Sequence, residues 1–201
     1  MAITSYATLV SAIEDRMNDA SLSTYADEFI QMAEAMFNRR LDTLESEGTA
    51  TIAAAAISAL PTDYKGVRSV HLDDYGPLGQ LSPDDFQARY AQDTAAQPEH
   101  YAIFSNTLYL GPTPDSSYTV TMTYLRKLTS LSSANTTNWL LESHPDLYLY
   151  ASLVHAEFRG WNDDRLALIN NAVEGMIREI NLADTRQRRG DMVGTVAGTY
   201  F

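Results

Sequence analysis

Apolar and polar residues switch between a helical and a strand period along this chain, and each switch predicts a new kind of element. Tyr6, Leu9, Val10, Ile13 and Met17 recur at helical spacing behind Thr4 or Ser5, whose hydroxyls suit a helix cap. A second helical face, Phe29, Ile30, Ala33, Met36, Phe37, Leu41 and Leu44, follows Ser23 or Thr24 and is predicted to close before Gly48. Asp27 and Glu28 in its first turn, and Arg39 and Arg40 late in it, stand at the ends the helix dipole favours. Residues 49–57 are then small and β-branched, and Leu60–Tyr64 reads as a turn. Arg68, Val70 and Leu72 alternate with Val67, Ser69, His71 and Asp73, which suits a strand. Tyr101–Phe104 and Leu108–Leu110 flank Ser105-Asn106-Thr107 as a hairpin, and Tyr118, Val120, Met122 and Tyr124 alternate with threonines as a further strand. Between these lies one short helix to about Tyr90, opened by Ser82 as cap and Pro83 at the first helical position.

Past a serine- and threonine-rich loop, Leu128–Thr137, the helical period returns. One helix is predicted over about Trp139–Trp161, with Pro145 opening its main body. The next is capped by Asn162-Asp163-Asp164 and carries Leu166, Ile169, Val173, Ile177 and Ile180. The pattern stops at Gly190. These elements predict an α+β fold, an antiparallel-type bundle of four main helices with a β-rich insert between the helix pairs. Residues 1–47 and 128–190 would form the helical core, 48–127 the insert, and 191–201 an extended C-terminal tail.

Composition narrows the function classes. The chain has no cysteine, which excludes disulfides, thiolate metal sites and cysteine nucleophiles. Its longest apolar stretch near a span is Ile52–Ile57, far short of the roughly 20 residues a membrane helix needs. The first basic residue is Arg16, so neither a signal peptide nor membrane attachment is expected, and the origin is read as cytosolic. A net charge of −12 opposes non-specific binding to phosphate by the surface as a whole. The charge is uneven: residues 1–136 hold 17 acids and 8 bases, residues 137–201 hold 9 and 6.

Candidate chemistry is sparse, and no cofactor is expected. His144 with Glu142 and Asp146 is the densest cluster of possible metal ligands, but Pro145 lies inside it and a helix-cap role accounts for it. His71 and His100 lie in the β insert with no evident partner, and His155, beside Val154 on a helix, reads equally as interfacial or semi-buried. The acid pairs Asp84-Asp85 and Asp163-Asp164 stand at helix starts and Asp73-Asp74 at a turn, places that favour acids without catalysis. Arg186, Arg188 and Arg189 form the basic cluster. One reading is a favourable charge at a helix C-terminus. The other is a docking segment, with Tyr200 and Phe201 as aromatic anchors that fold onto a partner.

Four stretches carry a resemblance: AEAMFNRRLDTL (33–44), LPTDYKGVRSVHL (60–72), QPEHYAIFSNTLYLGPTPDSSYTVTMTYLRKLTSLS (97–132) and NWLLESHPDLYLYASLVHAEFRGWNDDRLALI (138–169). Their order and spacing resemble the head-to-tail adaptors of tailed bacteriophages, of the tail-tubular A or head-completion type. The resemblance implies a non-enzymatic virion protein, made in the host cytoplasm and placed at the head–tail junction. It implies a ring of copies, typically twelve, under the portal protein, with a tail or nozzle protein on the far side and DNA passing through without specific binding. The C-terminal extension would reach the portal, which assigns portal binding to Arg186, Arg188, Arg189, Tyr200 and Phe201. The alternatives are a tail-completion or stopper protein of the neck and, from a different class, a small carboxylate-using hydrolase.

Overall fold

A computed structural model describes residues 2–17, 23–160 and 163–188, and in it the chain divides into two compact units. One comprises residues 1–45 and 128–201, the other residues 46–127. Six α-helices occur among the described residues: α1 Tyr6–Met17, α2 Ser23–Arg40, α3 Pro83–Arg89, α4 Trp139–Ser143, α5 Pro145–Gly160 and α6 Asp163–Arg188. The strands are β1 Glu47–Ala53, β2 Ile57–Ala59, β3 Tyr64–Leu72, β4 Gly76–Pro77, β5 Gly79–Gln80, β6 His100–Phe104, β7 Thr107–Gly111 and β8 Thr119–Arg126.

The fold is a mixed α+β one, and the expected four-helix bundle with a β insert is not what forms. In such a bundle each helix buries one stripe. Here α5 is a hub that packs against α1, α2, α4 and α6. Leu147, Tyr148, Leu149, Ala151, Ser152, Leu153 and Ala156 are all buried, on several sides of α5. A helix apolar nearly all round is a central helix, and the stretch between Asp146 and Glu157 carries no charged residue apart from any protonated His155. By contrast, among the described side chains of α6 only Val173, Ile177 and Asp184 are buried. Leu9 and Ile13 of α1 and Ile30, Ala33 and Phe37 of α2 complete the core around α5, where the Phe37 and Tyr148 rings meet edge to face at 5.1 Å.

Pro145 divides the helix expected over Trp139–Trp161. The residue before a proline is pushed out of the helical region, and His144 sits at φ −137° as the C-cap of α4. Asn138 caps the other end, its side chain accepting from the Leu141 N–H at 2.9 Å. The second helix also ends sooner than its apolar pattern suggests. Leu41 and Leu44 continue the face, yet α2 stops at Arg40.

The second unit is two four-stranded sheets, in the orders β1-β8-β3-β4 and β2-β7-β6-β5. Alternation along β8 puts Val120, Met122 and Tyr124 inside, and they meet Val70 and Leu72 of β3 and Tyr101, Leu108 and Leu110 of the other sheet. All pairings are antiparallel except β5 with β6, which is parallel. Strict alternation along β3 fails at Arg68. The ladder to β8 slips between Val67 and Ser69, so Arg68 is an extra residue, exposed and paired with Glu47 at 3.2 Å. The hairpin β6–β7 turns on Ser105 and Asn106, at φ 51° and 57°, as a two-residue turn of this type requires. Ser82 caps α3, accepting from the Asp85 N–H at 3.1 Å, with Pro83 in the first turn. Gly111 lies under the Tyr90 ring, where an added Cβ would stand 2.5 Å from Cε2.

Candidate functional site

The basic cluster lies at the end of α6, and the geometry there begins with the carboxylate of Asp184. It is one of the few buried charged groups among the described residues, 7% exposed. Its Oδ1 accepts the Leu44 N–H at 2.7 Å, and its Oδ2 accepts from Nε of Arg188, one helical turn on. Arg188 also donates through Nη2 to the Asp42 carbonyl at 2.9 Å. One turn before, Asn181 donates through Nδ2 to the Arg40 carbonyl at 3.0 Å. Glu174 forms a two-pronged ion pair with the Arg40 guanidinium, which holds the Glu174 carboxyl below its ordinary range.

A helix end leaves carbonyls without partners inside the helix. Here α6 supplies partners for the end of α2, to the Arg40 and Asp42 carbonyls, and an acceptor for the amide of Leu44. That explains why α2 stops at Arg40: its continuation is drawn off by side chains from far along the chain. The sequence reading missed Asn181 and Asp184. The pairing of Asp184 with Arg188 at helical spacing was a readable signal, whereas the carbonyls they serve were not.

Of the residues singled out for docking, Arg186 and Arg188 are both exposed, and Arg188 bonds Asp184 and the Asp42 carbonyl. Arg189, Tyr200 and Phe201 lie outside the described residues.

The other chemical candidates are dispersed. His144 caps α4 through its N–H to the Leu140 carbonyl at 2.8 Å. His100 Nδ1 shares a hydrogen bond of 2.8 Å with the Tyr90 hydroxyl, and His71 is exposed on β3. His155 is half-buried on α5, and burial, then the Arg39 charge, pushes its pKa down. Asp73 accepts from the Thr121 hydroxyl at 2.9 Å, Asp74 holds a turn at φ 67°, and Asp84 and Asp85 fill the first turn of α3. The side chains of Asp163 and Asp164 lie outside what the structure describes. Among the described residues, no three histidine, aspartate or glutamate side chains converge as metal ligands.

One carboxyl is more deeply buried than any of these. Glu34 on α2, 3% exposed, accepts the Leu131 N–H at 2.7 Å and the Tyr148 hydroxyl at 3.0 Å, both on Oε1. Asn138 donates to the same Tyr148 oxygen at 2.8 Å and to the Thr129 carbonyl at 2.7 Å. Burial raises the Glu34 pKa, against the bonds from Leu131, Ser130 and Tyr148 that lower it. Three of these bonds end on residues 129–138 and the fourth ties Tyr148 of α5 to Glu34 of α2, so the network holds the loop after β8 against α2 and α5.

Structurally, then, the chain offers a helical unit whose last helix reaches back to the end of α2, and a β unit without a built reaction centre among the described residues. A family model described as SU10 adaptor protein matches residues 4–197. The chain belongs to that family. It is a family of phage head–tail adaptors, as the four sequence stretches suggested. No curated protein matches the chain. The adaptor has, among its described residues, no helix long and apolar enough to cross a membrane.

Proposed function

We propose that the adaptor works as a ring of identical copies beneath the portal protein, joining it to the tail and leaving a passage for DNA. The observation that carries this reading is the family match over residues 4–197, nearly the whole chain; among the described residues Asn138, Ser82 and Glu34 serve as caps and struts.

The mechanism is geometric. Repeated head-to-tail contacts between copies close a ring. The end of α6 and the residues beyond it, with Arg186, Arg188, Arg189, Tyr200 and Phe201, meet the portal, and the opposite surface receives a tail or nozzle protein. A net charge of −12 suits a channel through which DNA slides, because acidic walls do not gather phosphate. Twelve copies fit the resemblance on which the reading began.

The test is binding of the adaptor to the portal protein of its own phage, followed by native mass spectrometry. The full chain is expected to join the portal as a ring, and a chain ended after Arg188 to stay folded and lose the portal. That cut keeps Arg188 and its partners in place, so a loss reports on docking and not on the fold. Full binding by the truncated chain refutes the docking assignment. A portal complex holding a single copy refutes the ring.

A further inference from the structure

Residues 41–44 belong to two patterns at once. Their apolar positions, Leu41 and Leu44, continue the face of α2 begun by Phe29, Ala33 and Phe37. Leu41 follows the helix, its N–H bonding the Phe37 carbonyl at 2.8 Å and its side chain buried. Beyond it the backbone turns away. The amide of Leu44 goes to Asp184 at 2.7 Å, the Asp42 carbonyl to Arg188 at 2.9 Å and the Arg40 carbonyl to Asn181 at 3.0 Å. All three partners stand on the last two turns of α6. One residue past this segment, after Glu45, the chain leaves the helical unit for the β unit.

We propose that the end of α6 is a latch on this outgoing segment, and that a partner which draws Arg188 away opens it. The proposal rests on the docking reading given above, which places the portal at this same helix end. Arg188 is the piece that couples the two. It neutralises the buried Asp184 carboxylate and itself holds the Asp42 carbonyl, so an acidic group on a partner competes with both contacts at once. With Arg188 withdrawn, Asp184 is a buried carboxylate short of its cation, a costly arrangement that favours opening. The freed segment loses the side-chain partners that fix its backbone. Docking at the C-terminal end thereby changes the backbone at the exit toward the β unit, in a chain whose other buried struts stay in place.

The latch is tested on the full chain by site-resolved amide hydrogen exchange and backbone chemical shifts. In Asp184→Ala, exchange at Leu44 is expected to rise at least tenfold, because its amide loses its acceptor, with Cα shifts of residues 42–44 moving toward unstructured values. Arg188→Gln, which keeps the acceptor for Leu44, is expected to give a smaller rise. Protection at Leu9, Ile13 and Leu147 should be unchanged in both. Unchanged exchange at Leu44 in a folded Asp184→Ala chain overturns the latch. So does a uniform rise across the helical unit, which reports lost global stability and not local opening. A second arm adds the phage's own portal protein to the unmodified chain. Faster exchange at Leu44 on binding supports release. Portal binding with Leu44 still protected overturns release while leaving the docking reading intact. Absence of portal binding overturns docking and release together, and the variants still decide the latch.

Discussion

Replacing Glu34 separates the two things a buried carboxyl does, accepting hydrogen bonds and carrying charge. In Glu34→Ala the Leu131 N–H and the Tyr148 hydroxyl both lose their acceptor, in a place where water does not reach: Glu34 is 3% exposed and Tyr148 fully buried. Each orphaned donor costs about 1–3 kcal/mol, so a loss on the order of 4 kcal/mol is expected. In Glu34→Gln the side-chain carbonyl still accepts both bonds, and the new amide faces the Ser130 hydroxyl that bonds Glu34 now. That variant should lie within about 1 kcal/mol of the unmodified chain near neutral pH.

The pH dependence has a definite sign. Burial raises the folded Glu34 pKa above its ordinary value of 4.5. The folded state therefore holds this proton more tightly than the unfolded one. The corresponding stability is fully present below 4.5 and is lost as pH rises through the folded pKa. Glutamine has no such loss. Urea unfolding followed by circular dichroism at pH 4 and pH 8 measures the difference, and Gln should gain on Glu between them. If Glu34→Gln proves as damaging as Glu34→Ala at both pH values, the acceptor role assigned to Glu34 is wrong. If Glu gains on Gln as pH rises, the burial argument is wrong.

Two further substitutions probe the β unit. Gly111→Ala drives a methyl into the Tyr90 ring, 2.5 Å from Cε2, and should cost about 1–3 kcal/mol while shifting the imidazole resonances of His100, which Tyr90 bonds; unchanged melting and unchanged His100 signals contradict the close approach. Ser105→Asn places a residue that tolerates φ 51° at the first hairpin position and should stabilise by about 0.5 kcal/mol, read as a higher urea midpoint at constant slope; a lower midpoint contradicts the turn assignment.

Where a structural decision depends on neighbours a few residues apart, the chain stated it openly. Ser82 and Pro83 open α3 because cap and first turn are local, and Ser105-Asn106 turns the hairpin because only the two central residues need positive φ. The alternation of β8 named its inner face correctly. Pro145 marked the break between α4 and α5 through its effect on His144, and the nearly uncharged run inside α5 signalled a central helix that the four-helix expectation overlooked. The family could be reached as well, since the order and spacing of such local signals carry through the four stretches between residues 33 and 169.

Tertiary structure decided what required partners distant in sequence. Nothing near Glu34 distinguishes it from a surface acid; its partners Leu131 and Tyr148 are 97 and 114 residues away. The division of the strands into two sheets, with β5 parallel to β6, follows from pairings that no periodicity encodes. Arg188 reads equally well from its sequence neighbours as a helix-end charge or a docking group, and only the fold shows the Asp42 carbonyl that it holds across 146 residues. Periodicity reports which face of an element is apolar, but a hydrogen bond is short and directional, and which two groups come within its reach is known only once the whole chain has packed.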